Sequence, residues 1–131
     1  MERAHVSRDA PTRLALRARG CRRRVERRSY FSARFTISAR QEVKNATLVL
    51  DPGWVEGMSV NTIEPSPLGE GSHDGKLVLE LGHIPAGQKH VLWMQFQVNP
   101  TNVAWHRPAG VTLLDGSKTL THIDRRYTIY P

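Results

Sequence analysis

A chain of 131 residues, 39% apolar and 24% charged, fits one domain built around a single core. Its formal charge of +7 is lodged in the first quarter: residues 1–30 carry ten arginines against three acids, whereas residues 31–131 balance nine cations with nine anions. No apolar run approaches the roughly 18 residues of a membrane helix, residues 1–29 lack the apolar stretch of a secretory signal, and a single cysteine, Cys21, excludes an internal disulfide.

Residues 1–12 are polar and irregular, end near Pro11, and read as disordered. Over residues 13–19, Leu14, Leu16 and Ala18 alternate with Arg13, Ala15, Arg17 and Arg19, which suits an edge strand with arginine on its solvent face. The same residue types also favour a helix. Gly20 is expected to break that element, and residues 21–29 to form a charged connection in which Cys21 reads as an ordinary thiol, the alternative being a thiol made more acidic by Arg22, Arg23 and Arg24. Residues 1–29 are therefore read as a basic arm and residues 30–131 as the folded domain.

The cleanest alternation in the chain covers residues 30–40, with Phe31, Ala33, Phe35, Ile37 and Ala39 on one face and Ser32, Arg34, Thr36 and Ser38 on the other. A short strand follows at 46–50 and is stopped by Asp51-Pro52-Gly53, because proline lacks the ladder donor and glycine permits positive φ. Another short strand spans 58–63, and residues 66–75 (SPLGEGSHDG) read as a long polar loop. Residues 77–99 hold two strands joined by a turn marked by Gly82, Pro85 and Gly87. In the second strand Leu92, Met94, Phe96 and Val98 face one way, and Trp93, Gln95 and Gln97 the other. A second long loop covers 99–110. Strands at 111–114 and 118–122 flank the turn signal Asp115-Gly116, and a last strand spans 127–130.

Seven to eight short strands at intervals of about 8–12 residues, with no helix, predict an all-β antiparallel sandwich of immunoglobulin-like architecture. Its expected core is Phe31, Phe35, Ile37, Leu48, Leu50, Val60, Leu77, Leu79, Leu81, Leu92, Met94, Phe96, Val98, Leu113 and Ile129. The Cys…Trp…Cys spacing of antibody domains is absent, so the likeness is one of architecture.

The turn Leu81-Gly82-x-Ile84-Pro85-Ala86-Gly87, followed by an alternating strand, resembles the Leu-Gly-x-Leu-x-Pro-Gly turn of bacterial Ig-like repeat domains. These are the CARDB-like and conserved-repeat modules of membrane-associated envelope proteins. Here the proline stands two residues before the closing glycine instead of next to it. The resemblance spans residues 30–131 in strand order. It implies a non-catalytic structural or interaction module of the cell envelope that follows a membrane helix. This sequence contains no such helix, so the resemblance also implies a truncated or misassigned start.

Six histidines (His5, His73, His83, His90, His106 and His122) raise the question of a metal, but none lies in the spacing of a zinc site. Only pairs assembled from distant segments could serve, such as His73 with Asp74 or His106 with His122. No serine lies in Gly-x-Ser-x-Gly, no phosphate-binding glycine loop is present, and Glu64 and Asp74 are the only carboxylates suggested as a pair. The sequence thus predicts no catalytic residue, cofactor or metal site, and no small-molecule substrate. Partners are expected at the loops 66–75 and 99–110, because loops carry function on a rigid β scaffold. The alternative reading is a polyanion, nucleic acid or anionic lipid, held by the arginines of residues 1–29. Trp54, Trp93 and Trp105 are expected to gather at one end of the domain as a contact surface or as packing.

Overall fold

The computed structural model describes residues 2–5, 12–23, 28–54, 58–98, 107–108, 110–124 and 126–127. Among them are two antiparallel five-stranded sheets. The first has the order β1 (Glu2–His5), β2 (Thr12–Arg23), β3 (Arg28–Ala39), β8 (Lys89–Val98), β5 (Met58–Glu64). The second has the order β11 (Lys118–Ile123), β10 (Val111–Asp115), β4 (Val43–Leu50), β7 (Lys76–Ile84), β6 (Gly69–His73). Two short strands, β9 (Arg107–Pro108) and β12 (Arg126–Tyr127), pair separately.

The strand order is that of a constant-type immunoglobulin sandwich, in which strands A-B-E-D face C-F-G. Here β2, β3, β8 and β5 stand as A, B, E and D, and β4, β10 and β11 as C, F and G. The β6–β7 hairpin is inserted between D and E and extends the second sheet beside C. Hydrophobic alternation sets the register, because a slip of one residue would turn every inward side chain to water. Leu16 pairs with Phe35 and Phe35 with Leu92, while Leu113 pairs with Leu48 and Leu48 with Leu79. All six are fully buried between the sheets.

Several expectations are corrected. Gly20 does not end the second strand: β2 continues to Arg23, and the expected connection at 21–29 narrows to residues 24–27, outside the described residues. The reason is the continuous ladder with β3 from Thr12↔Ala39 to Arg23↔Arg28. Its hydrogen bonds outweigh the ~0.5–1 kcal/mol that glycine costs inside a strand. Nor is the start wholly irregular, since Glu2–His5 pairs with Ala15–Ala18. Leu14 and Leu16, which precede the expected domain start at 30, lie in the same core as Phe35 and Leu92. The polar loop at 66–75 contains a strand, β6, held by β7.

Val60 is not a core residue. It stands opposite Phe96 in the inward phase but is 36% exposed. It lies at the sheet edge beside a register shift, and β6, the edge strand across the cleft, is mostly Gly and Ser and cannot cover it. Leu77 is only partly buried. Phe31, Val98 and Ile129 fall outside the described side chains. In place of Val60 the core gains Trp54, Val43, Ile84, Val111 and Ile123. Of the expected last strand, Tyr127 lies in β12 and residues 128–130 are outside the described residues.

The turn at 85–88 is an arch between sheets and not a hairpin, so β7 and β8 do not pair. Gln88 N–H donates to the Pro85 carbonyl (3.1 Å), and Gly87 N–H to the Ala39 carbonyl (2.7 Å). At Gly82, φ is +84°, a backbone conformation that favours glycine, and a Cβ there would push the exposed Leu68 side chain aside.

Candidate functional site

The alternation that buries Leu14, Leu16, Phe35, Ile37, Leu92 and Met94 has a second consequence. It turns the intervening residues of three adjacent strands onto the outer face of the first sheet. From β2 come Arg13, Ala15 and Arg17, from β3 Arg34, Thr36 and Ser38, and from β8 Lys89, Val91, Trp93 and Gln95. Register then sorts them into rows. Arg17 stands opposite Arg34, Arg34 opposite Trp93, and Trp93 opposite Glu64 at the edge of β5. Four residues along, Arg13 stands opposite Ser38 and Ser38 opposite Lys89.

Trp93 is 52% exposed, and the Arg34 guanidinium carbon lies 5.2 Å from its ring centroid, within cation–π range. Beside this pair is a cavity of about 250 Å³ lined by Arg13, Leu14, Ala15, Arg17, Arg34, Thr36, Ser38 and Lys89. Among the described residues its charged groups are three arginines and one lysine, with no carboxylate. Arg17 Nε is closed off from solvent and has no hydrogen-bond partner. Like charges directly opposite on neighbouring strands repel, so Arg17 and Arg34 form a pair that an anion would relieve.

The sites read from sequence fall elsewhere. His73 meets Asp74 (Nε2–Oδ2 3.3 Å) on a fully solvated turn, and His83 meets Glu42 (Nε2–Oε2 3.0 Å). His122 Nδ1 is 2.7 Å from Thr112 Oγ1, and His106 lies outside the described residues. Glu64 ends β5 of the first sheet whereas Asp74 turns β6 into β7 of the second, so they do not form a carboxylate pair. Among the described residues no three His, Cys, Asp or Glu side chains cluster as metal ligands. Trp54 is buried and Trp93 is on the outer face, so these two do not gather, and Trp105 lies outside the described residues. The segment 66–75 borders a cleft of about 450 Å³ between β5 and β6, lined by Val60, Ile63, Pro67 and Glu70 among others. Of the loop 99–110, residues 99–106 and 109 lie outside the described residues.

No family model matches the chain, and no curated protein matches it. Among solved structures it is similar to part of a GH20 exo-β-N-acetylglucosaminidase from Vibrio harveyi in complex with N-acetylglucosamine. Identity is 9% and the TM-score 0.41, over 83% of this chain and 17% of that one.

Sequence reasoning missed Arg34 and Lys89 as members of a site, and expected Trp93 to join Trp54 and Trp105 instead of these cations. Each is visible as the polar phase of its own strand, but their meeting depends on β3 pairing with β8, far away in the sequence.

His90 gives the fold a pH dependence. It sits in the inward phase of β8 opposite Ile37, its Nε2 shielded and without a partner. Desolvation holds its pKa below the usual 6.5. Above that value both folded and unfolded chains carry a neutral ring. As pH falls through 6.5 the unfolded chain takes up a proton that the fold resists, so stability declines towards the lower folded pKa. The urea midpoint is expected to fall between about pH 7.5 and about pH 5.5, and to fall less in His90→Gln. Equal declines in both proteins would refute this role.

Proposed function

We propose that this chain is a non-catalytic interaction module and that the outer face of its first sheet binds a polyanion. One observation carries the reading: Arg13, Arg17, Arg34 and Lys89 converge on a single cavity whose described lining includes no carboxylate. The opposed Arg17–Arg34 pair adds to it. A binding role is favoured over catalysis because, among the described residues, the lining offers fixed cations and hydroxyls and no His, Cys, Asp or Glu to move a proton. The arginines of residues 1–29 thus enter the proposal in a different form: Arg13 and Arg17 act from a sheet, beside cations supplied by β3 and β8.

The kinship with bacterial Ig-like repeat domains, and with it a place at the cell envelope, belongs to the same proposal. Its support is the turn from Leu81 to Gly87, which carries the chain from one sheet to the other as a structural arch.

The test is binding of inorganic polyphosphate to the full chain. Four phosphate contacts imply a loss of affinity of roughly a hundredfold between about 50 and about 200 mM salt. The variant Arg13→Gln, Arg17→Gln, Arg34→Gln, Lys89→Gln, shown by its melting curve to be folded, is expected to lose most of the binding and most of the salt slope. Absence of binding at low salt, or an unchanged slope in the folded variant, would overturn the proposal.

A further inference from the structure

We infer that the polyanion is single-stranded nucleic acid, with a base stacked on the Trp93–Arg34 pair and the flanking phosphates held by Arg17, Arg13 and Lys89. This rests on the polyanion reading above and adds the chemistry of the ligand. A chain of phosphates needs cations alone. The outer face also presents an indole, 52% exposed, in the same row as two arginines. Exposed tryptophan beside cations is the combination that binds unpaired bases, because every base has a π-face and every nucleotide a phosphate. The guanidinium above the indole is itself a plane on which bases stack, so ring and cation form one platform.

The geometry selects among polyanions. In a duplex the base faces are already stacked on one another, so the indole would gain no partner while the cations met only backbone. A bilayer surface would reward apolar residues around the indole. Instead Trp93 is ringed by Arg34, Glu64, Gln95 and Thr36, with Val91 as the one apolar neighbour on its own strand. Gln95 and Ser32, opposite one another in the next row, supply an amide and a hydroxyl where the edge of a stacked base would lie. The two cation rows are four residues apart along the strands, about 13 Å, which accommodates a short run of extended nucleotides.

Three probes decide it: a labelled thymidine oligomer of about 15 nucleotides, the same length as duplex, and polyphosphate, each titrated by anisotropy into the full chain at matched low salt. Trp93→Ala is expected to weaken oligomer binding about tenfold and to leave polyphosphate binding within about twofold, while Trp93→Phe retains most of the oligomer affinity. Trp93 is on the surface, so an unchanged melting temperature in both variants certifies the fold. Equal oligomer affinity in Trp93→Ala and the parent, or duplex bound at least as tightly as the oligomer, overturns the nucleic-acid inference while polyphosphate binding keeps the broader proposal standing. Binding to anionic phosphatidylglycerol vesicles with no binding to the oligomer overturns it in favour of a membrane surface. Silence of all probes removes both proposals together.

Discussion

A chain lacking residues 1–23 is expected to lose cooperative unfolding altogether, even though those residues are the most polar and most charged part of the sequence. Strand β2 contributes Leu14 and Leu16, both fully buried, and its ladder with β3 runs the full length of both strands. Truncating a buried leucine to alanine costs about 2–5 kcal/mol. Loss of two such side chains is comparable with the whole stability of a domain, about 5–15 kcal/mol. Deletion also leaves the inner face of β3 open on one side and exposes its edge, a template for aggregation. Circular dichroism during heating and amide dispersion by NMR would check this. A truncated chain that melts as sharply as the parent would show that β2 is an appendage. The same deletion cannot serve as a test of polyanion binding, because a lost ligand and a lost fold would look alike. Point substitutions on the outer face are the appropriate tool.

How far the fold could be read in the sequence depended on where each strand found its stabilisation. Strands β3 and β8 announce themselves, because both bury one face and leave the other wet, and a period of two survives in the residue order. The hairpin of β10 and β11 is equally plain, with Asp115 as its last paired residue and Gly116-Ser117 as its two-residue loop. Strand β6 is not legible: Gly69-Glu70-Gly71-Ser72-His73 has no large apolar side chain and is a strand only because β7 lies beside it. Strand β2 sits between these cases. Its alternation is visible up to Ala18, but ten arginines in thirty residues give it the composition of a tail. The candidate site was hidden for a related reason. In sequence Arg13 and Arg17 belong to a basic stretch and Arg34 to a charge-balanced one, and only the sheet order brings them to one cavity.

Trp54→Ala is expected to cost about 3–5 kcal/mol, the range for removing a large aromatic from a core. Strand β4 stops at Leu50, and Pro52–Trp54 form a single 3-10 turn in which Trp54 N–H donates to the Asp51 carbonyl (3.0 Å). That turn delivers the indole between the sheets, fully buried, tilted against Phe35 at 5.5 Å and Phe96 at 5.8 Å between ring centroids. Tilted aromatic pairs add about 0.5–1.5 kcal/mol each to the area they bury, and a loop residue leaves a cavity that two rigid sheets cannot collapse to fill. The urea midpoint should fall with an unchanged slope, and Trp54→Phe should recover part of the loss. A change below about 1 kcal/mol would mean that the turn, and not the indole, closes this end of the sandwich. Phe35 faces the core while its neighbour Arg34 lies on the outer face against Trp93, so the sheet separates the two sides residue by residue. Trp54→Ala, measured where it is still folded, should therefore bind polyphosphate as the parent does. The outer-face glutamine variants should show the converse, near-parental stability with binding lost, and that crossed pattern is what a binding surface laid over an independent core requires.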